Sequence, residues 1–216
     1  MFSHTIEEYV EQHSSPENEA LKEITRTTNQ LTVHPHMLSG QVQGRLLAML
    51  SHMITPKRIL EIGTFTAYSA LCLAEGLTPN GVLHTIEIND ELEDLIKHNL
   101  SLSPLGKKIQ LHIGDAIEVI STFKNLPANE KFDMVFIDAD KREYVEYYEA
   151  VFPLVRRKGY ILADNTLWDG HIIDDKYAKD KQTIGLRKFN DFVLADRRVE
   201  KVLLPIRDGL TIIRKL

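Results

Sequence analysis

Short apolar runs rich in β-branched residues recur along the middle of the chain, and stretches with helical spacing separate them. Runs that are apolar throughout are typical of strands buried on both faces, as in a parallel sheet that helices cover. A chain that alternates such strands with helices is predicted to form a right-handed, doubly wound α/β fold. The five runs are Arg58–Ile62, Val82–Ile86, Lys108–Ile113, Met134–Ile137 and Tyr160–Ala163.

The end of the chain departs from this alternation. Val199–Leu204 and Leu210–Arg214 have the pattern of strands, and only a short link separates them. The link contains Asp208-Gly209, which is a turn signal, and so short a connection forces antiparallel pairing. The sequence therefore predicts a mostly parallel sheet that finishes with an antiparallel hairpin.

The segment before the first strand is helical in pattern. Glu17–Gln30 and Gly40–Met53 are periodic, and Pro16 stands at a helix start. We expect a single domain over residues 1–216, with an N-terminal helical cap at 1–55 and a doubly wound core at 56–216. The pattern leaves open whether these helices cover the sheet or form a dimer contact.

Composition excludes several classes of protein. The chain has 26 Lys and Arg against 31 Asp and Glu, and this net charge of −5 disfavours a nucleic-acid partner. The single Cys72 excludes an internal disulfide and a thiolate metal cluster. No apolar run approaches the roughly 18 residues that cross a bilayer, and the acidic start lacks the pattern of a secretion signal. We therefore expect a cytoplasmic protein without a membrane partner.

The loop after the first strand predicts a cofactor site. Ligands of open α/β sheets bind at the carboxyl ends of the strands, and here Glu61-Ile62-Gly63 leads into a helix. Glu87, at the end of the next strand, is placed to accept hydrogen bonds from both ribose hydroxyls. The loop has one of the three glycines that a pyrophosphate needs, so S-adenosylmethionine (SAM) is favoured over a dinucleotide. A plain strand–helix turn without a ligand remains the alternative.

Acidic residues also follow the later strands. Asp115 is a candidate for the adenine amino group or a simple helix N-cap. Asp138 ends the fourth strand, and Asp164 and Asn165 end the fifth, so the three oxygen ligands converge if these strands are neighbours. Such a hard, oxygen-only set suits Mg²⁺, Mn²⁺ or Ca²⁺ and leaves positions open for a bidentate diol. Capping alone is the competing interpretation.

Lys141 lies one helical turn beyond Asp138 and is a candidate base. A neighbouring divalent cation would lower the pKa of this lysine, because like charge disfavours its protonated form. The Asp138-Ala139-Asp140 motif also occurs in haloacid-dehalogenase-type phosphotransferases. The motif of those proteins has Thr or Val at the position of Arg142 in this chain, so a phosphotransferase is disfavoured.

Together these residues resemble one family closely. From about residue 16 to the end, the chain resembles class I SAM-dependent O-methyltransferases of the caffeoyl-CoA/catechol type. Met37, the Gln43-Gly44 pair and Asp208-Gly209-Leu210 agree with the family pattern. The longer matching segments are Leu60–Ser69, Phe136–Lys141 and Asp164–Gly170.

The resemblance implies a Rossmann-like, seven-stranded sheet with an antiparallel last strand, and it implies a role for each matching residue. The methionine part of SAM would be surrounded by Met37, Ser39, Glu61, Gly63, Phe65 and Ser69. The ribose and adenine would be held by Glu87, Asp115 and Ala116, with Asp138 and Tyr147 beside the cofactor. A divalent metal, most often Mg²⁺, would be bound by Asp138, Asp164 and Asn165. Asp138 and Lys141 would be catalytic, and Trp168 would border the substrate.

The resemblance further implies methyl transfer from SAM to a hydroxyl of a small phenolic vicinal diol, such as a catechol or a caffeoyl-like ester, in a homodimer. Two alternatives remain open, a nucleotide-dependent oxidoreductase and a catalytically silent SAM-binding protein. Three positions depart from the family pattern: Ala67 and Lys158 stand where Gly is common, and Glu87 where Asp is common. None of these changes removes a predicted ligand.

Overall fold

A single seven-stranded sheet organises the molecule. The computed structural model describes residues 5–216, and its strands lie in the order β3-β2-β1-β4-β5-β7-β6. The strands from β1 to β5 pair in parallel, whereas β7 is antiparallel to both β5 and β6. The predicted fold class is confirmed. The strands are β1 (Arg58–Ile62), β2 (Val82–Glu87), β3 (Ile109–Ile113), β4 (Phe132–Ile137), β5 (Val155–Ala163), β6 (Val199–Leu204) and β7 (Leu210–Lys215).

Helices cover both faces of the sheet, and polar side chains cap several of them. Asn18, Asp115 and Asp180 each accept a hydrogen bond from the backbone of the first turn that follows them, which satisfies an otherwise unpaired N–H group. The helices are α1 (Ile6–Gln12), α2 (Glu19–Leu31), α3 (Gly40–Ile54), α4 (Tyr68–Ala74), α5 (Glu93–Ser101), α6 (Ala116–Thr122), α7 (Tyr144–Val151) and α8 (Lys181–Ala195). Within residues 5–216, no helix is long and apolar enough to cross a membrane.

The sheet separates two apolar cores, because successive side chains of a strand point to opposite faces. On β1, Leu60 and Ile62 belong to the core beneath α6, α7 and α8, whereas Ile59 belongs to the core beneath α2, α3, α4 and α5. This alternation places Glu61 on the same face as Ile59. A carboxyl group thus stands on a face that is otherwise apolar along β1.

Helix α4 is buried at every position and lies between the sheet and α3. Two glycines allow this close packing. A Cβ atom on Gly44 would lie 2.7 Å from the Tyr68 ring, and one on Gly76 would lie 2.2 Å from the Ser51 backbone. Since α4 follows directly on the loop at the end of β1, this packing fixes the loop that carries the cofactor residues.

The structure differs from the sequence expectation mainly at element ends. Strand β5 begins at Val155 rather than at Tyr160, because its first half is charged and does not have the pattern of a buried strand. Lys158 within it has a φ of 59°, a left-handed conformation that accompanies the register shift in the pairing with β4. Helix α1 was not predicted as an element, since it contains no buried residue.

Candidate functional site

A cavity of about 1250 Å³ lies at the carboxyl ends of β1, β2, β4 and β5. It includes the point between β1 and β4 where the strand order reverses, which is where open α/β sheets bind ligands. Every residue to which the sequence assigned a role at the site lines this cavity, with the exception of Glu61. The lining set is Met37, Ser39, Gly63, Phe65, Ser69, Glu87, Asp115, Ala116, Asp138, Lys141, Tyr147, Asp164, Asn165 and Trp168.

The loop after β1 requires glycine at Gly63. This residue has a φ of +99°, and a Cβ atom there would lie 2.0 Å from the carbonyl oxygen of Asp138. Phe65 and Ala67 also have positive φ values, 49° and 67°, which cost non-glycine residues roughly 1–2 kcal/mol each. The loop is therefore held in a strained shape against the end of β4, and it is stabilised by its neighbours rather than by its own conformational preference.

Glu61 lies beneath the cavity rather than on its wall. Its carboxyl group is completely buried and accepts hydrogen bonds from Ser69 Oγ at 2.6 Å and Thr85 Oγ1 at 2.5 Å. Burial raises the pKa of Glu61 to about 8, because desolvation penalises the carboxylate more than the two hydroxyl donors stabilise it. Glu61 thus reaches the cavity only through Ser69.

Glu87 fixes the loop on which a ribose would rest. Its Oε2 accepts from the Phe65 backbone N–H at 2.8 Å, and its Oε1 accepts from the Asn89 N–H at 2.9 Å. Each carboxylate oxygen has a second lone pair, so Glu87 retains capacity for ligand hydroxyls. Asp115 is the N-cap of α6 and accepts from the Glu118 N–H at 3.0 Å. The capping role is therefore present, and it leaves the second carboxylate oxygen of Asp115 for a ligand.

The ends of β4 and β5 bring the acidic residues together. The Asp138 N–H donates to the Ile62 carbonyl at 2.9 Å, and the Asp164 N–H donates to the Ile137 carbonyl at 3.0 Å. Asp164 is 4% exposed. Burial, and then the charge of Asp138, raise the pKa of Asp164 to about 7. The charge of Asp138 thus disfavours ionisation of Asp164, and the two carboxyl groups form the acidic corner of the cavity.

Lys141 contacts the same corner from the turn before α7. Its Nζ donates to Asp138 Oδ1 at 2.7 Å and to the Tyr144 hydroxyl at 3.0 Å. Burial alone would lower the pKa of Lys141, but the Asp138 carboxylate and Tyr144 outweigh it, and the net direction is upward. The ammonium form of Lys141 is therefore favoured in the resting protein. The lowered pKa expected from the sequence applies to a lysine beside a bound divalent cation, and it stays a prediction.

The remaining predicted residues form the walls and rim. Ser39 is buried at the start of α3, whereas Met37 is 50% exposed at the mouth. Tyr147 is buried and donates to Glu143 Oε2 at 2.8 Å. Trp168 has a φ of 47°, and its backbone N–H donates to the Asp208 carbonyl at 3.1 Å. An aromatic wall thus stands beside the acidic corner.

Three polar residues at the site were assigned no role by the sequence argument. Tyr144 is fully buried, and its hydroxyl lies 3.1 Å from the Asp164 carbonyl and 3.3 Å from the Ile137 carbonyl. Asp208 Oδ2 accepts from the Asn165 amide nitrogen at 3.3 Å, and Arg207 lies beside it. Tyr144 was detectable as a tyrosine one turn after Lys141. Asp208 was part of the turn signal and of the family pattern without a role at the site, and Arg207 gave no signal.

Comparisons with known proteins agree with this geometry. The chain is 36% identical over 213 residues to a caffeoyl-CoA O-methyltransferase 1 of Zea mays, an alignment that covers 93% of this chain and 80% of the maize protein. A family model described as O-methyltransferase matches residues 11–216. The chain belongs to the O-methyltransferase family. The predicted resemblance to the caffeoyl-CoA type is confirmed, and the oxidoreductase alternative is not supported.

Solved structures of O-methyltransferases superpose closely on this methyltransferase. The O-methyltransferase from Bacillus cereus, in complex with SAH, is 28% identical and has a TM-score of 0.88, with 98% of this chain and 97% of that chain covered. TomG from Streptomyces achromogenes, in complex with SAM, is also 28% identical with a TM-score of 0.88, and 96% and 94% of the two chains are covered. The fold and family therefore have independent support from sequence and from structure.

The acidic corner of this methyltransferase fits a divalent cation by its donor chemistry. Asp138 and Asp164 supply carboxylate oxygens, and the contact of the Asn165 amide nitrogen with Asp208 leaves the amide oxygen of Asn165 available to a cation. The like charge that raises the pKa of Asp164 is the kind that a cation relieves. Among residues 5–216, no group of three or more His, Cys, Asp or Glu side chains is arranged to hold a metal. A cation bound at this corner would have two carboxylates and one amide as its protein ligands.

Proposed function

We propose that this O-methyltransferase transfers the methyl group of SAM to one hydroxyl of a small phenolic vicinal diol, such as a catechol or a caffeoyl-like ester, with a divalent cation. The observation that carries the proposal is the placement of two sets of residues in one cavity. The strained loop at Gly63 and the Glu87 carboxylate stand on one side. Asp138, Asp164 and Lys141 stand on the other, with Asn165 beside them.

The loop side supplies the proposed cofactor site. Glu87 would hold the ribose hydroxyls, and Asp115 with Ala116 would border the adenine. Phe65, Met37, Ser39 and Ser69 would surround the methionine part, Glu61 supporting Ser69 from beneath. SAM carries no phosphate, so side chains at Phe65 and Ala67 are compatible with it where a pyrophosphate would need glycine. The SAM- and SAH-bound neighbours support this assignment.

The acidic side supplies the proposed acceptor site. When bound, a divalent cation supplies Lewis acidity and a template for two adjacent substrate oxygens. Asp138, Asp164 and Asn165 would hold it, most often as Mg²⁺ in this family. Methyl transfer brings a sulfonium and a phenolate together and neutralises both charges, so a cavity that excludes water favours the transition state. Trp168 and Tyr147 would provide apolar surface next to the reacting atoms.

Lys141 would handle the phenolic proton at its Nζ atom, either directly or through a water. Its pKa is raised while it is bound to Asp138 and Tyr144. The neutral amine that accepts a proton would therefore have to form first, by loss of the ammonium proton to solvent when the pairing with Asp138 weakens in the loaded site. Once this amine has taken the phenolic proton, the ammonium of Lys141 would face the phenolate oxygen and orient the acceptor.

The test is calorimetry with SAM, followed by methylation of a panel of vicinal diols and matched monophenols with and without Mg²⁺. We expect SAM binding, turnover on diols only, loss of turnover with chelator and recovery with Mg²⁺. Asp138→Ala should lower kcat/KM by about 1000-fold or more, because an interaction worth several kcal/mol is removed. Asp191→Ala, an exposed aspartate on α8, is the matched control and should retain activity.

A different experimental result would contradict each part of the proposal. Full activity of Asp138→Ala in excess chelator excludes the metal assignment. Equal turnover on monophenols excludes the diol assignment. SAM binding without turnover on any phenol indicates the catalytically silent alternative. The homodimer remains a prediction, and light scattering of the purified protein checks it.

A further inference from the structure

Gln43 connects the N-terminal helices to the acidic corner. It lies on α3, is 2% exposed, and its Nε2 donates to Asp164 Oδ2 at 2.5 Å. The other carboxylate oxygen, Oδ1, accepts from the Asn165 backbone N–H at 2.8 Å. Both oxygens of Asp164 are thus held from fixed directions, one by helix α3 and one by the loop after β5. The carboxylate has little freedom to rotate.

Arg207 determines which way the Gln43 amide faces. It lies in the loop between β6 and β7, and its Nη1 donates to Gln43 Oε1 at 3.3 Å and to the Leu38 carbonyl at 3.0 Å. An amide beside a carboxylate has two orientations, and the orientation with oxygen toward oxygen is repulsive. A guanidinium at the Gln43 oxygen favours the orientation in which the NH₂ group faces Asp164.

We propose that Gln43, oriented by Arg207, is a positioning residue that presents the Asp164 carboxylate to the divalent cation. The inference rests on the proposed metal-dependent function. Groups that hydrogen-bond to a metal ligand fix its direction, and their loss typically weakens metal binding by about 10- to 100-fold. The arrangement also makes the last hairpin and the helical cap direct contributors to a site that lies on β4 and β5.

The test is a titration of metal-free protein with Mn²⁺ alone, followed by electron paramagnetic resonance. Gln43→Met keeps the size of the side chain and removes both hydrogen bonds, and we expect the Mn²⁺ Kd to rise by about 10- to 100-fold. Arg207→Met should raise the Kd in the same direction by a smaller factor, about 3- to 10-fold. Gln41→Met is the matched control: Gln41 lies on the same helix but bonds to the Glu11 carbonyl, and its substitution should leave the Kd unchanged.

A double variant tests whether Arg207 acts on Asp164 through Gln43. If Arg207 acts through Gln43, adding Arg207→Met to Gln43→Met produces no further loss, whereas independent effects add. Saturating Mn²⁺ should restore the kcat of Gln43→Met on a catechol, which a general packing defect would not allow. Should Gln43→Met fail to fold, Arg207→Met still decides, because Arg207 is exposed.

The outcomes separate this inference from the function on which it rests. Wild-type protein that binds no Mn²⁺ overturns the proposed metal site and the inference with it. Wild-type protein that binds Mn²⁺, with Gln43→Met and Gln41→Met at the same Kd, overturns only the role of Gln43. Additive losses in the double variant overturn the role of Arg207 in orienting Gln43.

Discussion

Glu61→Gln should stabilise the protein, and the gain should grow with pH. The completely buried carboxyl has a pKa of about 8 against an ordinary 4.5, chiefly because of burial. In the unfolded chain the group ionises first, so the folded state holds the extra proton between these two values. The contribution of Glu61 to the free energy of unfolding therefore falls as pH rises through that window.

The magnitude follows from the two pKa values. At 1.36 kcal/mol for each factor of ten in proton affinity, the full difference corresponds to roughly 5 kcal/mol. Between pH 5 and pH 8.5, about 4 kcal/mol of this should develop. A glutamine of the same shape can accept from Ser69 and donate to Thr85, and it does not ionise. Between these two pH values, the difference in free energy of unfolding between the variant and wild type should therefore rise by about 4 kcal/mol.

Urea unfolding at pH 5, 7 and 8.5 measures this difference. Subtracting the free energy of unfolding of wild type from that of the variant removes the contribution of Asp164, which titrates in both proteins. Glu118→Gln makes the same change at an exposed position on α6, and its difference from wild type should stay constant with pH. A constant difference for Glu61→Gln as well would refute the claim that burial holds Glu61 in its neutral form.

Three further outcomes are expected. Gly63→Ala should destabilise the fold by about 3 kcal/mol and abolish SAM binding, because its Cβ would collide with the Asp138 carbonyl; calorimetry and a thermal melt check both effects. Burial, then the charge of Arg58, lower the pKa of His84 to about 4. The contribution of His84 to the free energy of unfolding is therefore complete above pH 6.5 and is lost as pH falls toward 4, by about 2 kcal/mol after allowance for solvent. In urea unfolding, His84→Phe should lose less stability than wild type as pH falls. Lys158→Gly should add about 0.5–1 kcal/mol, since its φ of 59° favours glycine; an unchanged denaturation midpoint contradicts this.

The positions of the strand ends were predictable because apolar runs mark the strands and parallel pairing aligns their carboxyl ends. Two strand-like runs around a turn signal identified the C-terminal hairpin. Apolar runs identified β1 to β4 and the second half of β5, and parallel pairing brings the residues that follow such strands to one edge. Asp138 and Asp164 were placed together from sequence for this reason. Their convergence depends on β4 and β5 being neighbours, which the structure shows.

Contacts between distant side chains were not predictable in the same way. Gln43 and Asp164 are 121 positions apart, and no periodicity connects a helix residue to a strand end across that separation. The buried position of Glu61 was hidden because an acid at a strand end is more typical of a ligand than of an uncharged core group. The raised pKa of Lys141 in the protein without a cation was not predicted, because the ion pair with Asp138 was not visible in the sequence.

The loop after β5 depends on the last hairpin for its backbone partners. The Asp208 carbonyl accepts from the N–H groups of Leu167 and Trp168, and the Gly209 carbonyl accepts from that of Thr166. During synthesis the Gly63 loop leaves the ribosome long before these partners exist. A nascent chain that stops before residue 209 therefore has no complete pocket, however well its first strands have formed. We therefore expect methyl transfer only from chains that include the final strand.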